Sequence, residues 1–334
     1  MTFYYLVPAQ TLGRIKGETH LQYWQRKLFR GKKLRPVGGV KIIYQHCEML
    51  NQAGFHAVPV HLSDFSVDWF PHQLEPLSAQ AALERMTNDD VLICPEVIPA
   101  AAALFPCATK IAFVQNWALA DFGTGPDKRF EDFGFTGLLT CSTYLQDYMA
   151  NKSDLPCDLV VNGIDHEVFQ PHYRQAEKNS VMILSRKNMA DASAALDLLD
   201  AQTRKKAEVI VLESKYTQTE MAGFYRQADI FLAIGYPEGF ALPPLEAMAC
   251  GCAVTGFTGG GGLEHMIEGQ TALIAADGDI QGLAAGLARL LNEPELKERL
   301  RAHGQKKAAE FSLAQMQAQL LDFATRIAKK RLAA

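Results

Sequence analysis

Three observations predict an α/β protein of two domains built on parallel sheets. Short apolar runs alternate with longer helical patterns, the signature of strand–helix–strand units. The alternation is interrupted by a polar connection at 162–173 and then restarts. The 334 residues suit two domains of roughly 150 residues each.

The elements follow in order. Residues 3–8 read as the first strand. A helix at about 40–53 carries Val40, Ile43, Cys47 and Leu50 on one face, and Gly54 closes it. Residues 56–62 are a second strand, in which Pro59 predicts an edge or a bulge. Strands at 90–94, 110–114 and 137–141 come next, then a helix through Met149 and a strand at 158–161. Beyond the connection lie a strand at 180–185, a helix at 191–201, a strand at 208–213, a helix at 218–227 and a strand at 229–233. Pro243 and Pro244 suit the first turn of the following helix, because that turn needs no backbone donor, and Gly251 ends it. Strands at 252–256 and 272–275 and helices at 279–291, 294–303 and 313–330 complete the chain.

Composition narrows the function classes. Apolar residues are 48%, charged residues 21% and the formal charge is −4, which excludes disorder, collagen-like repeats and a globally basic nucleic-acid binder. No run approaches 18 apolar residues, so no membrane span is expected. The start, Met1 to Pro8, lacks a basic region and reads as a strand, not a signal peptide. Cys47, Cys94, Cys107, Cys141, Cys157, Cys250 and Cys252 are scattered, without a C-x-x-C pair or a histidine at ligand spacing. Reduced, mostly buried thiols in a cytoplasmic protein are expected, with neither zinc nor disulfides.

Ligands of open α/β sheets bind beyond the carboxyl ends of the strands. The strongest loop there runs from Glu238 through Gly239, Phe240, Ala241 and Leu242 to Pro243, Pro244, Leu245 and Glu246. Free amides at a helix start favour a phosphate, and flanking carboxylates can bind the vicinal hydroxyls of a sugar or ribose. Together they describe a nucleotide sugar. The plainer reading makes Glu238 a turn cap and leaves Glu246 solvated on the helix. A second loop, Thr258 to Glu264, contains four glycines and reads as an anion-binding nest or as a flexible turn. A third, Gly38-Gly39-Val40, is a phosphate-side turn without the full G-x-G-x-x-G, so a dinucleotide site is a poor reading, and no P-loop is present. Arg186 and Lys187 follow a strand directly and could neutralise a departing diphosphate, or form a solvated basic turn.

These segments resemble the retaining GT-B glycosyltransferases of family 4. Residues 228–251, with Glu238 and Glu246, look like that family's two-glutamate signature. Val160 to Asp165 with Phe169 and Pro171, Gly261 to Glu264, Gly38 to Val40, and Glu310 to Leu313 agree with it in order and spacing. The resemblance implies two facing Rossmann-like domains with parallel sheets: an acceptor-side domain at 1–163, a donor domain at 164–312 and a helix at 313–334 packing back on the first. It implies transfer of a sugar from a nucleotide-sugar donor to a glycan, lipid or other hydroxyl acceptor, with retained configuration and neither metal nor cofactor, in polysaccharide or glycolipid biosynthesis. Glu238 would hold donor-sugar hydroxyls and Glu246 the ribose. The amides of Gly239, Phe240, Ala241 and Leu242, with Gly39, Val40, Gly261 and Gly262, would line the donor. Arg186 and Lys187 would stabilise the departing diphosphate.

The chain departs from the family in four places. Ala241 stands where the family has Gly, crowding the phosphate loop, and Lys187 is adjacent to Arg186 where the family's lysine comes later. A single strand lies between the helices at 191–201 and 218–227. Gln115, Asn116 and Trp117 occupy the acceptor-side place of a family histidine. A non-catalytic nucleotide-sugar module, or a partner of another transferase, is the alternative. Outside the family core, 14–35 carries eight Lys/Arg and one acid. It reads as a peripheral contact with an anionic inner-membrane surface, as a grip on a phosphorylated acceptor, or as a docked loop-helix with a solvated basic side.

Overall fold

The computed structural model describes residues 1–8, 38–63, 65–67, 69–171, 179–212 and 216–332. The basic segment 14–35 lies outside the described residues, as do 172–173 of the polar connection. The chain divides into two compact units. Unit 1 comprises Met1–Phe113, Asp121–Leu138 and Leu320–Ala334; unit 2 comprises Val114–Ala120 and Leu139–Gln319.

One sheet has seven strands in the order β3-β2-β1-β4-β5-β6-β7. They are β1 (Thr2–Val7), β2 (His56–His61), β3 (Leu77–Ser78), β4 (Val91–Pro95), β5 (Thr109–Val114), β6 (Gly137–Thr140) and β7 (Cys157–Leu159). From β3 to β5 the pairing is parallel throughout. Helix α1 (Gly38–Gln52) buries Val40, Ile43, Cys47 and Leu50, the face its periodicity marked, and Gly54 follows with φ +85°. β2 is not the edge strand, but Pro59 is at a local edge: it pairs with Tyr5 of β1 on one side, while β3 reaches only Val60 and His61 on the other. The missing N–H of Pro59 thus falls where β2 has no outer neighbour.

The second sheet is parallel, in the order β12-β11-β10-β8-β9. Its strands are β8 (Ser180–Leu184), β9 (Glu208–Leu212), β10 (Ile230–Ala233), β11 (Ala253–Phe257) and β12 (Ala272–Ala275). The chain leaves β8 to build β9 on one side, then returns to build β10 on the other. The order therefore reverses between β8 and β10, which is where such sheets bind ligands. Val181, Ile183, Ile230 and Leu232 fill the core beneath, against Leu283, Leu287 and Leu290. Each such side chain contributes roughly 1.5–3 kcal/mol.

Several elements differ from expectation. The helix at 191–201 is two helices, Met189–Asp197 and Ala201–Lys206, because Asp200 caps the second by accepting from the amides of Gln202 and Thr203. Helices at Ala79–Arg85 and Trp117–Thr124 were not read from the pattern: the first is short, with a single buried residue, and the second begins in an apolar stretch without helical periodicity. The remaining boundaries shift by a few residues, the helix at 294–303 most, extending to Ala308. All seven cysteines are free, six buried and Cys157 half-buried. No helix among the described residues is long and apolar enough to cross a membrane.

Candidate nucleotide-sugar site in unit 2

Arg186 and Lys187 leave the carboxyl end of β8, and Glu238 lies in the loop after β10. The reversal in strand order brings them together. Glu238 Oε1 is 3.2 Å from the Arg186 guanidinium and 2.8 Å from Lys187 Nζ. Lys187 also donates to the Pro237 carbonyl at 2.6 Å. Burial pushes the Lys187 ammonium below its usual pKa, the neighbouring Glu238 carboxylate opposes that shift, and Arg186 adds to it. Lys187 is thus half-buried, and Arg186, though exposed, is paired with Glu238. They line, with Glu238, a cleft whose other walls include Ile234, Ala241, Pro243 and Phe257.

The loop after β10 is held from several directions. Asn188, in the left-handed region at φ +50°, donates its amide to the carbonyls of Ile234 and Tyr236. The Tyr236 hydroxyl donates to Asp191, which raises the tyrosine pKa. Glu238 N–H donates to the Gly259 carbonyl. Phe240 is buried against His265 and Phe311. Ala241 then turns the chain at φ +56° and caps helix α8 (Leu242–Ala249) without a side-chain bond. Pro243 and Pro244 occupy the first turn, as their missing N–H groups predict. The amides of Phe240, Ala241 and Leu242 make no hydrogen bond among the described residues. This is the start of a helix with donors available for an anion.

Glu246 is not solvated. It is buried in α8 and accepts from the Tyr225 hydroxyl at 3.4 Å; Tyr225 itself is fully buried between Phe169 and Phe231. Tyr225 had no sequence signal, because a tyrosine at a helix end reads as core.

The glycine run is neither a flexible turn nor an open nest. Gly259 N–H donates to Asp277, Gly260 N–H to Thr258 Oγ1, Gly261 N–H to the Glu238 carbonyl and Gly262 N–H to the Thr258 carbonyl. All four amides are bonded within the protein. The glycines are needed because backbones touch: a Cβ on Gly261 would lie 2.0 Å from the Gly239 carbonyl carbon.

Gln115, Asn116 and Trp117 belong to unit 2 and meet the same loops. A Cβ on Gly239 would lie 2.0 Å from the Gln115 carbonyl oxygen. Asn116 donates to the Pro237 carbonyl at 3.0 Å, and Trp117 Nε1 donates to the Gly259 carbonyl at 3.2 Å. Ser142, missed by sequence reasoning, donates to the Gly239 carbonyl at 2.6 Å while capping the helix Thr143–Ala150. A serine before a helix is legible as a cap; its partner 97 residues away is not. Gly39 and Val40 lie in the first turn of α1 in unit 1, and Val40 is buried in its core. Among the described residues, no three His, Cys, Asp or Glu side chains gather as a metal site.

Two parallel α/β sheets with these connections are the fold of the GT-B glycosyltransferases. A sucrose-phosphate synthase from Thermosynechococcus elongatus superposes with a TM-score of 0.67 at 14% identity, covering 100% of both chains. Anabaena Alr3699/HepE, solved in complex with UDP-glucose, gives 0.65 at 13% identity over 98% of this chain and 100% of that one. Residues 190–307, which include Glu238 and Glu246, match the family model described as glycosyl transferases group 1. A D-inositol 3-phosphate glycosyltransferase of Thermobispora bispora is 31% identical over 137 residues, 41% of this chain and 30% of that protein. The matched segment thus spans less than a third of that relative's length.

Proposed function

We propose that this protein transfers a sugar from a nucleotide-sugar donor to a hydroxyl acceptor, with retained anomeric configuration and without a metal ion. One observation carries the reading: two cations and a carboxylate from neighbouring strand ends share one cleft with the unbonded amides of a helix start. The cations and amides suit a diphosphate, and Glu238 suits sugar hydroxyls. The match to glycosyl transferases group 1 over 190–307 supports it. So does the UDP-glucose in a structural neighbour of the same fold.

On this reading the diphosphate settles between Arg186, Lys187 and the amides of Phe240 to Leu242. Glu238, which holds both cations in this structure, is then released toward the sugar. Glu246, fixed by Tyr225, takes the ribose hydroxyls. As the glycosidic bond breaks, the two cations stabilise the charge developing on the leaving phosphate. The acceptor approaches on the face the phosphate leaves, and the phosphate oxygen takes its proton. Fixed side-chain cations supply charge that other transferases draw from a divalent ion. Gly39 and Val40 belong to unit 1, and 1–163, 164–312 and 313–334 are the expected domains of the chain.

A panel of nucleotide sugars tests the proposal, with binding and slow donor hydrolysis both measured in the presence of chelator. Binding of one donor with release of its nucleoside diphosphate supports transfer. Tight binding without release favours the non-catalytic module, and no binding to any donor overturns the reading.

A further inference from the structure

The segment after β5 was expected to face an acceptor. The side chains of Asn116 and Trp117 are engaged elsewhere. Asn116 Nδ2 donates to the Pro237 carbonyl, the same oxygen that accepts from Lys187 Nζ. Trp117 Nε1 donates to the Gly259 carbonyl, the same oxygen that accepts from the Glu238 amide. Each side chain therefore fixes a carbonyl already shared with one member of the Lys187–Glu238 pair, whose charged atoms stand 2.8 Å apart.

Asn116 is itself well anchored. Its Oδ1 accepts from the amides of Ala118 and Leu119, capping the helix Trp117–Thr124. Its amide nitrogen is thus aimed by a helix cap, and the Trp117 ring packs against Tyr148 at 5.9 Å. A carbonyl that accepts two donors is held in direction, and through it the freer donor is held as well. Lys187 is the freer of the two, with four rotatable bonds and a point charge.

The structure assigns Asn116 and Trp117 as positioning residues of the donor site: Asn116 aims the Lys187 ammonium through the Pro237 carbonyl, and Trp117 aims Glu238 through the Gly259 carbonyl. This rests on the glycosyltransferase reading for its purpose, but its geometry can be tested without any ligand.

The probe is the acylation rate of Lys187 in ligand-free protein, resolved by peptide mass spectrometry, with Lys110 as internal control. Asn116→Ser keeps a cap of similar quality and cannot reach Pro237. Loss of one aimed hydrogen bond should speed acylation of Lys187 about threefold to tenfold, with Lys110 unchanged. Asn116→Gly, which costs a cap only slightly, should do the same and covers the case in which the serine variant misfolds. UDP binding, measured by calorimetry, should weaken by a similar factor in both variants. Trp117→Phe keeps the ring and loses the donor, and should slow donor hydrolysis while UDP affinity holds. An unchanged Lys187 rate in a folded Asn116 variant overturns the Asn116 role, and unchanged hydrolysis in Trp117→Phe overturns the Trp117 role. Failure of wild-type protein to bind any nucleoside diphosphate would instead count against the glycosyltransferase reading, and the Lys187 rates would still decide the Asn116 inference.

Discussion

Two loops of unit 2 differ in glycine content and, against expectation, in their hydrogen bonds. Residues 239–242 contain one glycine, and the amides of Phe240, Ala241 and Leu242 make no bond among the described residues. Residues 259–262 are four glycines, and all four amides are bonded to Asp277, Thr258 or Glu238. The glycine-rich loop is therefore the scaffold, and the glycine-poor loop offers the donors. Glycine permits close approach of backbone to something, and here that something is the neighbouring loop. Counting amides distinguishes a nest from a packed turn.

The comparison is sharpened most by removing the charge opposite the open amides. Arg186→Ala should lower kcat about a hundredfold or more, a loss of roughly 3–4 kcal/mol of transition-state stabilisation, with the fold intact by circular dichroism. Next, Gly239→Ala places a Cβ 2.0 Å from the Gln115 carbonyl oxygen. The backbone must shift, costing about 1–3 kcal/mol in a urea melt and raising the donor KM.

A pH effect comes from one buried histidine in each unit. Burial holds His46 and His265 down to about 3, with Lys307 adding to the effect at His265. The unfolded chain takes up these protons near pH 6.5, and the folded chain does not until about pH 3. Stability is therefore full above about pH 6.5 and falls as the pH drops toward 3, by up to about 1.4 kcal/mol per unit for each histidine. Urea melts at pH 7, 6 and 5 measure the slope, which should shrink in His265→Leu.

Ala241 sits at φ +56°, where an L-residue is strained by about 1–2 kcal/mol. Ala241→Gly relieves that strain but loosens the unfolded chain by about 0.4–1 kcal/mol, so a net gain of about 0.5 kcal/mol is expected in thermal melts. The smallest effect should be that of Gly262→Ala. Its Cβ would meet Met266 Sδ and Thr258 Cβ at 3.3 Å, and its amide is already bonded. The donor KM should stay within about twofold of wild type, because neighbours can yield a few tenths of an ångström. A large rise in KM would break the comparison, since it would place the glycine run against the ligand.

The sequence alone determined the sheet type, most of the elements and the loops that matter. Periodicity sets which face of a strand or helix is buried, so α1, β8, β10 and the helices after β12 were legible from the apolar positions. Pro243, Pro244 and Gly251 fixed α8, because proline and glycine restrict backbone dihedrals locally. The Glu238–Glu246 spacing and the Arg186-Lys187 pair were readable as residue types at strand ends.

Their states were not readable, because burial and pairing depend on neighbours distant in sequence. Only the folded chain closes Glu238 onto two cations 51 and 52 positions away (238 − 187 and 238 − 186). Only there does Tyr225 donate to a buried Glu246, and only there do Asn116 and Trp117 turn to Pro237 and Gly259. The same holds for the glycine run: a sequence shows where backbones can come close, and the strand order decides which backbones do.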